Sequence, residues 1–169
     1  EHLLPGNRFI CVNGADLKGL YVGHTAPKVR QIFADNDIVM IDEAYSLTAQ
    51  GPGETGDSFS QEAIAEIITQ IEDHGSEKLV MFAGYGGMNV APGDNLMKNF
   101  IDANPGLKSR INSTIYFDSY SAEQMVEIVH IQAKNQGFIL SRRVDPDILA
   151  YFKERTKDRN FGNGREARS

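Results

Sequence analysis

"VMIDEAYSL", residues 39–47, decides how the rest of the chain reads. Ile38 through Ile41 form an apolar run that ends in the adjacent carboxylates of Asp42 and Glu43, followed by the helix-compatible Ala44. Such a run suits a strand buried in a parallel sheet, and acidic residues at its carboxyl end face the crevice where these sheets bind ligands. A hydrated cation fits there. On these residues alone the pair is either a cation-and-water site or the acidic start of a helix, where negative charge meets the positive end of the helix dipole.

Upstream, "RFICVN" (8–13) predicts a strand and "APKVRQIFADN" (26–36) a helix with Pro27 in its first turn, where a missing amide is harmless. "DIVMID" (37–42) is the strand that carries the acidic pair. Downstream, "TAQGPGETGD" (48–57) is a glycine-rich polar loop. Residues 60–74 place Ile64, Ile67, Ile68 and Ile71 on one helical face. "KLVMFAG" (78–84) predicts another buried strand, "NLMKNFIDA" (95–103) a short helix and "STIYF" (113–117) a further strand. Strands alternating with helices in this order predict a parallel sheet with helical crossovers, in three layers.

From about residue 120 the pattern turns purely helical. "SAEQ" (121–124) is a capping box, Met125, Ile128 and Val129 share the following face, and Gly137 ends that helix in a left-handed turn. Asp145 and Pro146 open the next helix, whose apolar face carries Ile148, Leu149 and Phe152. The expected organisation is an α/β unit over 1–119 followed by a small all-helical unit over 120–169.

Composition narrows the function classes. With 169 residues, 41% hydrophobic and 24% charged, the chain has enough apolar material for a sizeable core. A net charge of -6 and no basic run longer than Arg142-Arg143 argue against nucleic acid as a partner. The lone Cys11 lies in an apolar run and reads as a small core residue in a reducing compartment. No stretch approaches the roughly 18 apolar residues of a membrane span and the first residues do not form a signal peptide, so a cytoplasmic location is expected. His2, His24, His74 and His130 are scattered and form no metal-ligand spacing with cysteine. Neither G-x-S-x-G nor C-x-x-C occurs, so nucleophile-elbow hydrolysis and dithiol redox chemistry lack their motifs. A phosphate loop of the form G-x-x-x-x-G-K-[ST] is also missing: none of the 16 glycines precedes a lysine.

"DLKGLYVGHTAPKVRQIF", "IVMIDEAYSL", "KLVMFAGY", "NPGLKSRI" and "FGNGREAR" nevertheless occur in the order and spacing of an AAA+ ATPase. The chain resembles the branch that contains stage V sporulation protein K and the CbbX-type rubisco activases, over nearly its whole length. The resemblance implies ATP and Mg2+ as cofactors, with Asp42 holding magnesium through water and Glu43 polarising the attacking water. It makes Arg110 an arginine finger reaching a neighbouring subunit's nucleotide, Arg165 the sensor 2 arginine, and Tyr85 a substitute at the sensor 1 position. Tyr21, with Val22 and Gly23, matches the pore loop that grips a protein client, its backbone free to move between Gly19 and Gly23. His24 and Thr25 match the branch's phrase without an assigned chemistry.

In that family the phosphate loop and its strand lie upstream of the segment matched here. The expected fold is therefore a partial AAA+ core, a parallel sheet with flanking helices and no central P-loop strand, followed by a small helical lid truncated at its sensor 2 helix. An isolated piece of this kind is expected to rearrange its strands, pair with a second copy or be marginally stable. The implied function is that of part of an ATPase that remodels a protein client in a hexameric ring, with no nucleic acid or membrane partner. The chain alone is expected to lack activity. The alternative is a non-catalytic AAA+ assembly module without ATP turnover.

Overall fold

The computed structural model describes residues 4–48, 58–86, 91, 93–158 and 161–168; the glycine-rich loop read at 48–57 lies outside them from residue 49 onward. The chain divides into two compact units, Glu1–Tyr116 and Phe117–Ser169. Together they are an α/β unit built on a parallel sheet and a helical lid.

The first unit holds strands β1 (Phe9–Asn13), β2 (Ile38–Asp42) and β3 (Leu79–Phe82), in the order β1-β2-β3 and all parallel. Helices α1 (Thr25–Asp35) and α2 (Ser58–His74) are the crossovers. After β3 come α3 (Leu96–Ala103) and the single turn α4 (Pro105–Lys108), opened by a proline at a position that needs no amide. Pro27 falls in the first turn of α1, and the Ala26 amide there donates to Glu62 Oε1 of α2 at 3.0 Å. At the other end of α1, Lys78 Nζ donates to the carbonyls of Phe33 (2.6 Å) and Asn36 (2.9 Å), placing a cation where the helix presents unsatisfied oxygens. Arg30 of α1 pairs with Glu66 of α2, which also accepts from Gln70 Nε2. Both helices thus run parallel to each other and antiparallel to the strands, as crossovers must.

The register pairs Phe9 with Ile38 and Ile38 with Leu79, then Cys11 with Met40 and Met40 with Met81. Residues so paired share one face of the sheet. The alternate residues Ile10, Val12, Val39, Ile41, Val80 and Phe82 meet α1, α2, α3 and α4 in one core with Val29, Phe33, Ile67, Phe100 and Leu107. Among the described residues the helices of this unit lie on that face alone, so the three layers expected are two. The opposite face carries Phe9 and Leu79, about half exposed, and an exposed Cys11. Cys11 is therefore not a core residue, and β3 is less buried than its apolar sequence suggested. The alternation of the pleat, invisible in an all-apolar run, sent these side chains to the uncovered face.

Residues 113–117 form no strand. Ile115, Tyr116 and Phe117 are exposed at 76%, 50% and 91%. Their β-prone composition expresses itself only against a partner edge, and no described strand pairs with them.

In the second unit α5 (Ala122–Asn135) starts at the expected capping box: the Gln124 amide donates to Ser121 Oγ at 3.2 Å and the Ser121 amide to Gln124 Oε1 at 2.8 Å. It ends before Gly137, whose φ is 85°. Helix α6 (Asp145–Arg155) packs Ile148, Leu149 and Phe152 against Met125, Ile128 and Val129, as its periodicity implied. His130 meets Asp145 at 2.6 Å, and Arg142 bridges Glu127 and Asp145.

Candidate functional site

Asp42 is the last residue of β2 and lies in register with Asn13, the last residue of β1. Glu43 leaves the strand in the left-handed region, φ 48° and ψ 42°, which a side chain other than glycine adopts only at a cost. This ends the strand's alternation, so the two carboxylates do not simply point opposite ways. Glu43 Oε2 instead accepts from Asn13 Nδ2 at 3.2 Å, while the Glu43 amide donates to Asp42 Oδ1 at 2.9 Å. Asn13, Asp42 and Glu43 converge at the carboxyl end of the sheet, and both carboxylates are exposed to solvent.

The short 3-10 turn Ala44–Leu47 fixes this end of the chain. The Ala44 amide donates to the Ala83 carbonyl at 3.0 Å, and the Ala83 amide to that of Ile41 at 2.9 Å, so the residue after β3 clamps both sides of the acidic pair. Glu43 occupies the N-cap position of this turn but makes no side-chain cap bond. Its carboxylate turns instead to Asn13, and the nearby Tyr45 hydroxyl is raised above the usual phenol range first by burial and then by the charges of Glu43 and Asp42. Gly14 allows the close approach beneath, since a Cβ there would lie 2.6 Å from Ser46 Oγ and 3.0 Å from the Glu43 carbonyl. Asn13 and Tyr45 were missed in the sequence. Aligning the ends of the first two predicted strands would have found Asn13 opposite Asp42.

The remaining candidates lie elsewhere. Tyr85 follows β3 at the same carboxyl end, more than half exposed, with its carbonyl accepting from the Met97 amide at 3.1 Å. Arg110 follows α4, where its guanidinium donates to the Gly106 carbonyl at 2.7 Å and to Ser109 Oγ at 3.2 Å and pairs with Glu72. Glu72 sits near the carboxyl end of α2, a helix about 25 Å long, and that end feeds the amino end of β3. Arg110 is therefore turned away from the acidic pair of its own chain. Tyr21 stands in a turn after β1, 67% exposed between Leu20 (89%) and Val22 (85%), and Gly23 completes the turn with φ 82°. Gly19 is not free: its amide donates to the buried Thr25 Oγ1 at 2.9 Å.

Arg165 belongs to the second unit, exposed in the 3-10 segment Asn163–Arg168. Its neighbour Glu166 anchors that segment, accepting from Arg155, from the Gly162 amide and from Tyr151. Among the described residues no group of three or more His, Cys, Asp or Glu could hold a metal alone. The donor set of Asp42 and Glu43 fits magnesium in another way, since that ion takes one or two carboxylates and completes its shell with water and substrate phosphate.

Comparison with known proteins likewise separates an amino-terminal unit from a carboxyl-terminal lid. Residues 3–118 match the model of the ATPase family associated with various cellular activities (AAA), and residues 121–169 match the AAA lid domain. The chain belongs to the AAA ATPase family. Members are typically ATP hydrolases that bind ATP with Mg2+ and commonly form oligomeric rings. Stage V sporulation protein K of Bacillus subtilis is 34% identical over 173 residues, covering 99% of this chain and 48% of its own. Protein CbbX of Cereibacter sphaeroides is 33% identical over 162 residues, covering 95% of this chain and 49% of its own. The chloroplastic ribulose bisphosphate carboxylase/oxygenase activase of Cyanidioschyzon merolae is 32% identical, at 95% and 52%. This AAA chain thus spans about half the length of the relatives it matches. Among its described residues no helix is long and apolar enough to cross a membrane.

Proposed function

We propose that this AAA chain supplies the water-activating, client-gripping and lid segments of a subunit that couples ATP hydrolysis to remodelling of a protein client in a ring. The observation that carries the reading is the Asp42–Glu43 pair at the carboxyl end of β2, with Glu43 held by Asn13. Bound MgATP supplies the terminal phosphoryl group and the charge that neutralises its oxygens. Asp42 would hold the magnesium ion through its water shell. A Glu43 carboxylate oxygen accepts a hydrogen bond from the attacking water and takes its proton as the oxygen attacks. Asn13 holds that carboxylate in one orientation, so little reorganisation is left for the reaction.

Arg110 acts in trans. Its placement toward the far end of α2 supports this, because a planar, permanently charged guanidinium there serves a nucleotide bound by a neighbour and not its own. Arg165 of the lid and Tyr85 beside the acidic pair contact the nucleotide. Tyr21, Val22 and Gly23 meet the client: three consecutive exposed apolar residues from Leu20 to Val22 offer contact area that tolerates many polypeptide sequences.

The test is Glu43→Gln in the whole protein. Glutamine keeps the shape and the Asn13 contact but cannot take a proton, so turnover is expected to fall by about 10²–10⁴ while nucleotide binding persists. A variant that hydrolyses ATP at the parent rate removes Glu43 from the mechanism.

A further inference from the structure

The loop that carries Tyr21 is built around His24. The Tyr21 carbonyl accepts from the His24 amide at 3.1 Å, closing a tight turn. Gly23 supplies the φ of 82° the turn needs, with open space where a side chain would stand. The imidazole of His24 then meets the phenol ring of Tyr21 edge to face, with centroids 5.5 Å apart and planes at 77°. That geometry sets the positive rim of one ring against the negative face of the other. No second aromatic ring among the described residues touches Tyr21.

His24 is itself tied down on the other side. It precedes α1, its carbonyl accepts from the Lys28 amide at 3.3 Å, and its Cβ packs so closely on Gly19 that a side chain there would come within 2.8 Å. Thr25, fully buried, holds the Gly19 amide. Leu20 and Val22 have no such support and are almost wholly exposed. A rigid helix start is thus connected to one ring of an otherwise solvent-facing apolar strip, through a single aromatic contact.

We propose that His24 is the positioning residue of the client-gripping loop: its backbone and Cβ, fixed at the start of α1, set its solvent-facing ring against the Tyr21 ring and favour one orientation of that ring before an unfolded polypeptide arrives. The inference rests on the reading of Tyr21 as the client contact. Preorganisation of this kind lowers the ordering cost of binding and therefore acts on the concentration of polypeptide needed, more than on the rate at saturation.

The experiment is ATP hydrolysis by the whole ring-forming protein, titrated with casein as a permanently unfolded polypeptide, for Tyr21→Ala, His24→Ala and His24→Phe. Ring assembly of each variant is verified by sedimentation. Tyr21→Ala is expected to abolish stimulation by casein. His24→Ala is expected to raise the half-stimulating casein concentration three- to tenfold with the saturated rate within twofold, and His24→Phe, which restores an aromatic ring, to return it to the parent value. Parent-like behaviour of His24→Ala, or a His24→Phe variant as impaired as the alanine, overturns the inference while leaving Tyr21 as the contact. Full stimulation in Tyr21→Ala overturns the reading beneath it. Should His24→Ala fail to assemble, His24→Gln, which keeps a polar side chain without the ring, is held to the same threefold shift.

Discussion

At the scale of single residues, the acidic pair is set by one backbone torsion. Glu43 in the left-handed region turns its carboxylate back to Asn13, and the contacts of Ala44 and Ala83 hold it there. Beneath it Ser46 Oγ is buried with no hydrogen-bond partner among the described residues. A buried hydroxyl without a partner costs about 1–3 kcal/mol, so Ser46→Ala is expected to stabilise the chain by about 1 kcal/mol in a urea titration. A loss of stability would show that the hydroxyl has a partner in solution. Asp37 is the opposite case. It accepts from the Arg8 amide and from two guanidinium nitrogens of Arg8, which together hold its carboxyl at about 2, below the ordinary range. A pKa lowered in the folded state stabilises the fold above the unfolded value of about 3.9 and loses that stabilisation as pH falls through about 2. Melting temperature against pH should flatten between about pH 4 and 2 in Asp37→Asn; an unaltered slope would assign the acid transition to other carboxylates.

At the scale of elements, caps and helical faces were legible because they are local. The capping box at Ser121, the proline turns of α1 and α4 and the isoleucine face of α2 depend on residues within four positions of one another. Ser121→Ala removes the acceptor for the Gln124 amide and should destabilise the lid unit by about 1 kcal/mol, read as an earlier helical transition in urea. An unmoved transition would mean that water satisfies that amide equally well. Strands were less legible. "STIYF" has the composition of a strand and forms none, because a strand is defined by its neighbour.

At the scale of the molecule, the α/β unit leaves one face of its sheet without a helix among the described residues. Phe9, Cys11, Ile38, Met40, Leu79 and Met81 share that face, and parallel sheets elsewhere are covered on both sides. The strand order β1-β2-β3 is sequential. The 169-residue chain by itself is expected to self-associate with rising concentration, since exposed apolar faces of this kind seek cover. Sedimentation equilibrium checks it: Phe9→Lys with Leu79→Lys should shift the chain toward monomer, and a parent chain that stays monomeric at all concentrations would contradict the expectation.

The sequence by itself determined the family, the parallel α/β class, the helical lid and the acidic pair at a strand end, because these rest on ordered motifs and short-range periodicity. Only the tertiary structure decided that Cys11 faces outward, that residues 113–117 remain unpaired among the described residues and that Asn13 grips Glu43. It also decided that Arg110 is turned from its own carboxylates toward Glu72. Each of these depends on which distant segment lies alongside, set by strand register and by which sheet face the helices cover, and an apolar run reads the same whichever face it presents.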